Sequence, residues 1–138
     1  MLKIAKSVEY ALLALKYIYE RQDLDCVSTK VISESVDIPY DLLAKIMQKL
    51  VKEEIIISQQ GTKGGYKLAM PPDKINITKI INAVDQKIQV TDCLVETPTL
   101  NDCKRFQNCC LRNPMNQIQI KINKLFDELT LSEIIQYN

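Results

Sequence analysis

Residues 28–72 read STKVISESVDIPYDLLAKIMQKLVKEEIIISQQGTKGGYKLAMPP, and the punctuation of this stretch decides the fold. Ser28 is a helix N-cap residue, since its hydroxyl can accept from a free backbone N–H of the first turn; it predicts a short helix through Val31 and Ile32 that ends near Val36 and Asp37. Pro39 opens a second helix running to about Glu53, with Leu42, Leu43, Ile46, Met47 and Leu50 at helical spacing and facing inward. Asp41, Lys45, Gln48, Lys49 and Lys52 share its opposite face. The β-branched run Ile55, Ile56, Ile57 and Ser58 pairs with Tyr66, Lys67, Leu68 and Ala69. Between them lie Gln59 to Gly65, holding all three glycines of the chain. Glycine supplies positive φ and close backbone approach, so these runs form a hairpin with a tip built for contact. A helix-turn-helix followed at once by such a hairpin is a winged helix.

Outward from this unit the chain is mainly α. Ile4, Val8, Ala11, Leu12, Leu15, Ile18 and Tyr19 define a first helix of about five turns. Leu2, Tyr10, Leu13 and Tyr17 make a second apolar strip on its far side, one that a partner subunit would cover. Pro71 and Pro72 end the wing, and Thr78 to Val84 is one short helix. A turn-rich stretch from about 85 to 113 follows, and a loop this long inside a compact domain generally carries function. After Pro114, Met115, Ile118, Ile122, Leu125 and Leu129 alternate by three and four, the narrow seam of a dimerisation helix. Leu131 to Ile135 adds a last short helix. The expected organisation is a winged helix-turn-helix unit over 1–84, then a cysteine loop with a long dimerisation helix over 85–138.

Composition bounds the function. With 138 residues, 46% of them hydrophobic, the chain can build one real core and has no room for a second full domain. Its net charge of +1 does not mark a polyanion binder by itself. Between Tyr40 and Met70, however, Lys45, Lys49, Lys52, Lys63 and Lys67 stand against Asp41, Glu53 and Glu54, which gathers basic charge on the helix and hairpin. Lys6, Glu9 and Lys16 interrupt the N-terminal apolar residues, and no run reaches the roughly 20 needed to cross a bilayer. The protein is expected to be soluble and cytoplasmic, with no membrane partner. Four of its five cysteines, Cys93, Cys103, Cys109 and Cys110, crowd one stretch, which in a reducing compartment implies a metal site or a redox switch. Cys26, standing apart, is expected to be a buried or half-buried thiol.

The wing from Ile56 to Pro72 with its Gly64-Gly65-Tyr66, the preceding helix pair, and a cysteine loop ahead of a long helix resemble the IscR and NsrR type of bacterial regulators over almost the whole chain. That resemblance implies a homodimeric repressor or dual regulator that binds double-stranded DNA. Its affinity would follow the state of an iron–sulfur cluster held by three cysteines and one other ligand. Ala44 and Gln60 stand where the iron–sulfur regulator has a base-sensing glutamate and a wing arginine, so the DNA sequence read is expected to differ.

Soft thiolates suit iron and bridging sulfide. Cys93, Cys103 and Cys109 are the expected ligands; the gap between the first two is longer than the family's. Cys109-Cys110-Leu111-Arg112 resembles the family's Cys-Pro-Leu-Arg pattern, with Cys110 as the alternative to Cys109. The chain contains no histidine. Val8 to Leu12 resembles the first-helix segment that gives a carboxylate ligand in some members, which makes Glu9 the fourth; an exposed Glu9 paired with a lysine is the competing role. Two irons are favoured over four, in a site sensing nitric oxide, oxidants or cluster supply. Zinc is disfavoured, lacking both histidine and a Cys-x2-Cys pair.

On the DNA side, Tyr40, Asp41 and Lys45 at the start of the second helix are expected at bases or phosphates. Lys49 and Lys52 would touch phosphate or solvate the face, while Gln60, Gly61, Thr62 and Lys63 enter a minor groove. A dimer would read half-sites about 34 Å apart on a pseudo-palindrome. Two alternatives stay open: a cluster-free regulator using a thiol switch or small effector, and a thiol oxidoreductase using Cys109 and Cys110, which the absence of Cys-x-x-Cys and of histidine ranks last.

Overall fold

The computed structural model describes residues 3–61, 64–85, 88–94 and 97–136. Helix α1, Lys6–Glu20, buries Val8, Ala11, Ala14, Leu15 and Ile18 at alternating three- and four-residue spacing. The two alanines let its neighbours approach closely. Of the far-side strip, Tyr10 and Tyr17 turn out to pack against the chain's own core, whereas Leu13 stays exposed and Leu2 lies outside the described residues. The Tyr17 ring carries the Arg21 guanidinium 3.4 Å from its centroid, and its hydroxyl accepts from Ser35 Oγ at 3.0 Å.

Helix α2, Thr29–Val36, starts as its sequence requires: Val31 N–H donates to Ser28 Oγ at 3.2 Å. It stops because Asp37 adopts the left-handed conformation, φ 55°, and donates its N–H to Ser33 O. Ile38 N–H reaches the same carbonyl, and Ser33 Oγ donates to Ile38 O at 2.6 Å, so the turn is fixed on both sides. Pro39 then caps α3, Tyr40–Lys52. Leu43, Ile46, Met47 and Leu50 are buried as expected. Leu42 is not: it is 40% exposed, on the flank of the helix, because four buried positions already fill the strip facing α1, α2 and α4.

Strands β1, Ile56–Gln59, and β2, Gly65–Leu68, pair antiparallel in the register Ile56 to Leu68 through Gln59 to Gly65. A third backbone joins them, for Val27 and Tyr66 exchange both N–H···O bonds, at 2.9 and 2.8 Å. This contact explains a glycine. A Cβ at Gly65 would lie 2.4 Å from Val27 O, so the surface that Gly65 must approach belongs to its own chain. At the tip, Gly61 has φ 121°, a conformation that calls for glycine.

After a 3-10 turn at Pro72–Lys74, helix α4, Ile77–Val84, begins with Asn76 Oδ1 accepting from Lys79 N–H at 2.8 Å and buries Ile77, Ile80, Ile81 and Val84. Helix α5, Arg112–Glu128, starts before Pro114, which sits harmlessly in its first turn where the backbone N–H has no helical acceptor. Helix α6, Leu131–Gln136, returns to the first unit: Leu131 N–H donates to Ile75 O and Ile77 N–H to Leu129 O, and Leu131 is fully buried in the common core. Among the described residues, no helix is long and apolar enough to cross a membrane.

Candidate nucleic-acid interface and cysteine loop

The core strip of α3 fixes which side chains it presents outward. Tyr40, Asp41, Lys45, Gln48, Lys49 and Lys52 are all exposed, with Leu42 beside them. Asp41 also has a local role, since a carboxylate in the first turn complements the positive end of the helix dipole. Lys49 bends towards the fold and donates from Nζ to Val84 O at 3.4 Å, at the C-terminal end of α4. That bond ties the outer face of α3 to the point where the chain leaves for the cysteine loop, and nothing in the sequence signals it. In the wing, Gln60 and Gly61 are exposed; Thr62 and Lys63 lie outside the described residues.

The cysteine loop is ordered by short local bonds. Gln89 Nε2 donates to Leu94 O, and Leu94 N–H to Thr91 O, which makes a tight turn around Cys93. Cys93 is 6% exposed, its Sγ 3.4 Å from Thr91 Oγ1. Asp102 Oδ2 accepts from both the N–H and the hydroxyl of Thr99, at 2.8 and 3.0 Å, which closes a turn there. Cys103 and Cys109 are half-buried, Cys110 is exposed, and Cys26 is half-buried as expected. None of the five is joined to another in a disulfide.

Three thiolates in one loop suit an iron–sulfur cluster chemically. The conformation does not gather them: among the described residues, no group of three or more Cys, Asp or Glu side chains is placed to hold a metal ion. Glu9 instead pairs with Lys6, Nζ to Oε2 2.7 Å, on the surface of α1. That hydrogen bond, with the carboxylate charge behind it, raises the Lys6 pKa above its ordinary value.

The long helix buries one residue only, and it is polar. Gln119 accepts from Val90 N–H at 2.8 Å and donates to Ile88 O at 2.7 Å and Asn123 Oδ1 at 2.9 Å. A glutamine beside an apolar seam looks like any solvated position, so the sequence gives no sign of it. Of the seam, Ile118 and Leu125 are exposed and Met115, Ile122 and Leu129 half-buried.

Comparison with known proteins agrees with this architecture. The model of the Rrf2 family, iron-dependent transcriptional regulators, matches residues 4–137. The chain is 27% identical over 135 residues to the HTH-type transcriptional regulator NsrR of Oceanobacillus iheyensis, covering 98% of this chain and 90% of that protein. It is 26% identical over 137 residues to the HTH-type regulator IscR of Aliivibrio salmonicida, covering 99% and 79%. Among solved structures, CymR, the global cysteine regulator of B. subtilis, superposes with a TM-score of 0.74 at 21% identity, covering 100% of this chain and 99% of that one.

Proposed function

Because the chain belongs to the Rrf2 family of transcriptional regulators, we propose that it binds a pseudo-palindromic operator as a homodimer and that an iron–sulfur cluster on its cysteine loop sets that affinity. It is a regulator and not an enzyme, as its relatives are, which sets aside the thiol oxidoreductase. In this proposal residues 1–84 read DNA through Tyr40, Asp41, Lys45 and Lys49 and through the wing at Gln60, Gly61, Thr62 and Lys63. Residues 85–138 carry the control loop and the helix that joins two copies.

The observation carrying the proposal is the placement of four cysteines on one loop between the winged helix and α5. Cys93, Cys103 and Cys109 would ligate, with Cys110 the alternative to Cys109 and Glu9 of the second copy as the carboxylate ligand. A cluster of two irons is preferred to one of four. Exposed Ile118 and Leu125 on α5 support a second copy, since they stand uncovered on a helix of which only Gln119 is buried within its own chain.

Anaerobic purification of the wild type and of Cys103→Ser tests this. Visible absorption is measured with iron and sulfide content, then binding to a duplex selected from a randomised pool. A brown wild type with equal iron and sulfide, and a colourless variant of altered affinity, are expected. Oxygen-free wild type that is colourless and binds as well as the variant would refute it. The ungathered thiols favour one second possibility, a cluster-free thiol switch. It would show as colourless protein whose DNA affinity changes with hydrogen peroxide.

A further inference from the structure

One residue of α5 holds the chain that leads into the cysteine loop. Gln119 lies about two turns into that helix, roughly 10 Å from its first residue at 1.5 Å per residue. Its amide uses both ends on the strand of chain that leads into Cys93: Oε1 takes Val90 N–H and Nε2 gives to Ile88 O. The far end of the loop joins the same helix covalently at Arg112. The chain between Val90 and Arg112 is thus tied at both ends to one helix, with Gln119 as the clasp and all four cysteines in between. Immediately past the clasp, the 91–94 turn folds Cys93 inward.

We infer that Gln119 is the positioning residue of the cysteine loop: its amide closes the loop on α5 and keeps Cys93 buried. No three Cys, Asp or Glu side chains among the described residues are placed to hold a metal, so loading must move the loop, and release of the 88–94 segment from Gln119 would report that occupancy to α5 as a broken clasp. At the same end of the loop, Val84 O holds Lys49 of α3, which places the DNA-facing helix within reach of that change. The second half of this inference rests on the cluster proposal; the clasp itself does not.

The test separates the two. Apo protein, wild type and Gln119→Leu, is treated with N-ethylmaleimide, and alkylation is followed peptide by peptide. Loss of two bonds to a buried amide should speed Cys93 alkylation by about tenfold or more. Cys26 should keep its wild-type rate. An unchanged Cys93 rate overturns the clasp. Should the variant unfold, Cys26 accelerates too, and hydrogen exchange on the wild type decides: the Val90 amide must exchange at least about tenfold more slowly than the amide of exposed Asp92, and equal rates overturn the clasp. Anaerobic loading with ferrous iron and sulfide is then followed by colour and by Val90 exchange. Colour with lost Val90 protection supports release on loading, and colour with protection intact refutes release. A chain that stays colourless removes the cluster proposal and leaves the alkylation result standing.

Discussion

Replacing Gly65 with alanine should loosen the wing from the body of the protein. The added Cβ would sit 2.4 Å from Val27 O, 2.5 Å from Val27 C and 2.8 Å from Ser28 N, all backbone atoms with no rotamer to escape into. The two backbone segments must separate by about 1 Å to restore van der Waals contact. That movement breaks the paired bonds between Val27 and Tyr66. Each bond contributes about 1 kcal/mol net, and groups left partly unsatisfied add to the loss, giving about 2–4 kcal/mol in total. With a urea slope of about 1.5–2 kcal/mol/M the midpoint should fall by about 1–2.7 M at constant slope. Gly61→Ala is the control. Nothing lies within 4 Å of its new Cβ, so its loss of about 1 kcal/mol comes from φ 121° alone, and the Val27 and Tyr66 amides keep their exchange protection. A Gly65→Ala variant within about 0.5 kcal/mol of wild type, roughly the effect of a neutral surface change, with both amides still protected would refute the clash.

Adjacent leucines on α3 should behave differently: Leu43→Ala, fully buried, loses about 2–5 kcal/mol, while Leu42→Ala loses about 1–1.5 kcal/mol, and equal losses in urea would contradict the assigned burial. Ser28→Ala removes the acceptor for Val31 N–H and should lower stability by about 1 kcal/mol, with Ser28→Gly losing only a few tenths by the same assay. Dimer binding to DNA should weaken with salt on a log-log slope of about −4 to −7. Lys45→Ala should make that slope shallower by roughly 2 if each Lys45 neutralises one phosphate; an unchanged slope would take Lys45 off the backbone.

What the sequence showed and hid divides along physical lines. Helices whose burial follows a period were readable: α1, α3 and the α2 cap each announce themselves through spacing or a single hydroxyl, and the turn before Pro39 through its breakers. Leu42 was misplaced because helical spacing gives an angle but not the width of the strip that neighbours cover. Gly65 was recognised as special for the wrong surface, since close approach names no partner. Gln119 and the Lys49 to Val84 bond were invisible because long-range polar contacts leave no periodic trace. The cysteines were legible as a group, yet their burial order depends on the Gln119 clasp, which joins residues 31 positions apart in the chain.

The return of α6 bears on how the molecule can be cut. Leu131 lies fully buried and donates its N–H to Ile75 O, while Ile77 N–H donates to Leu129 O just ahead of it. A fragment trimmed after α4 to isolate the DNA reader would therefore expose an apolar notch at its own base. Engineers wanting a minimal version would have to graft the terminal helix back on, since the tail serves as the keystone of the head.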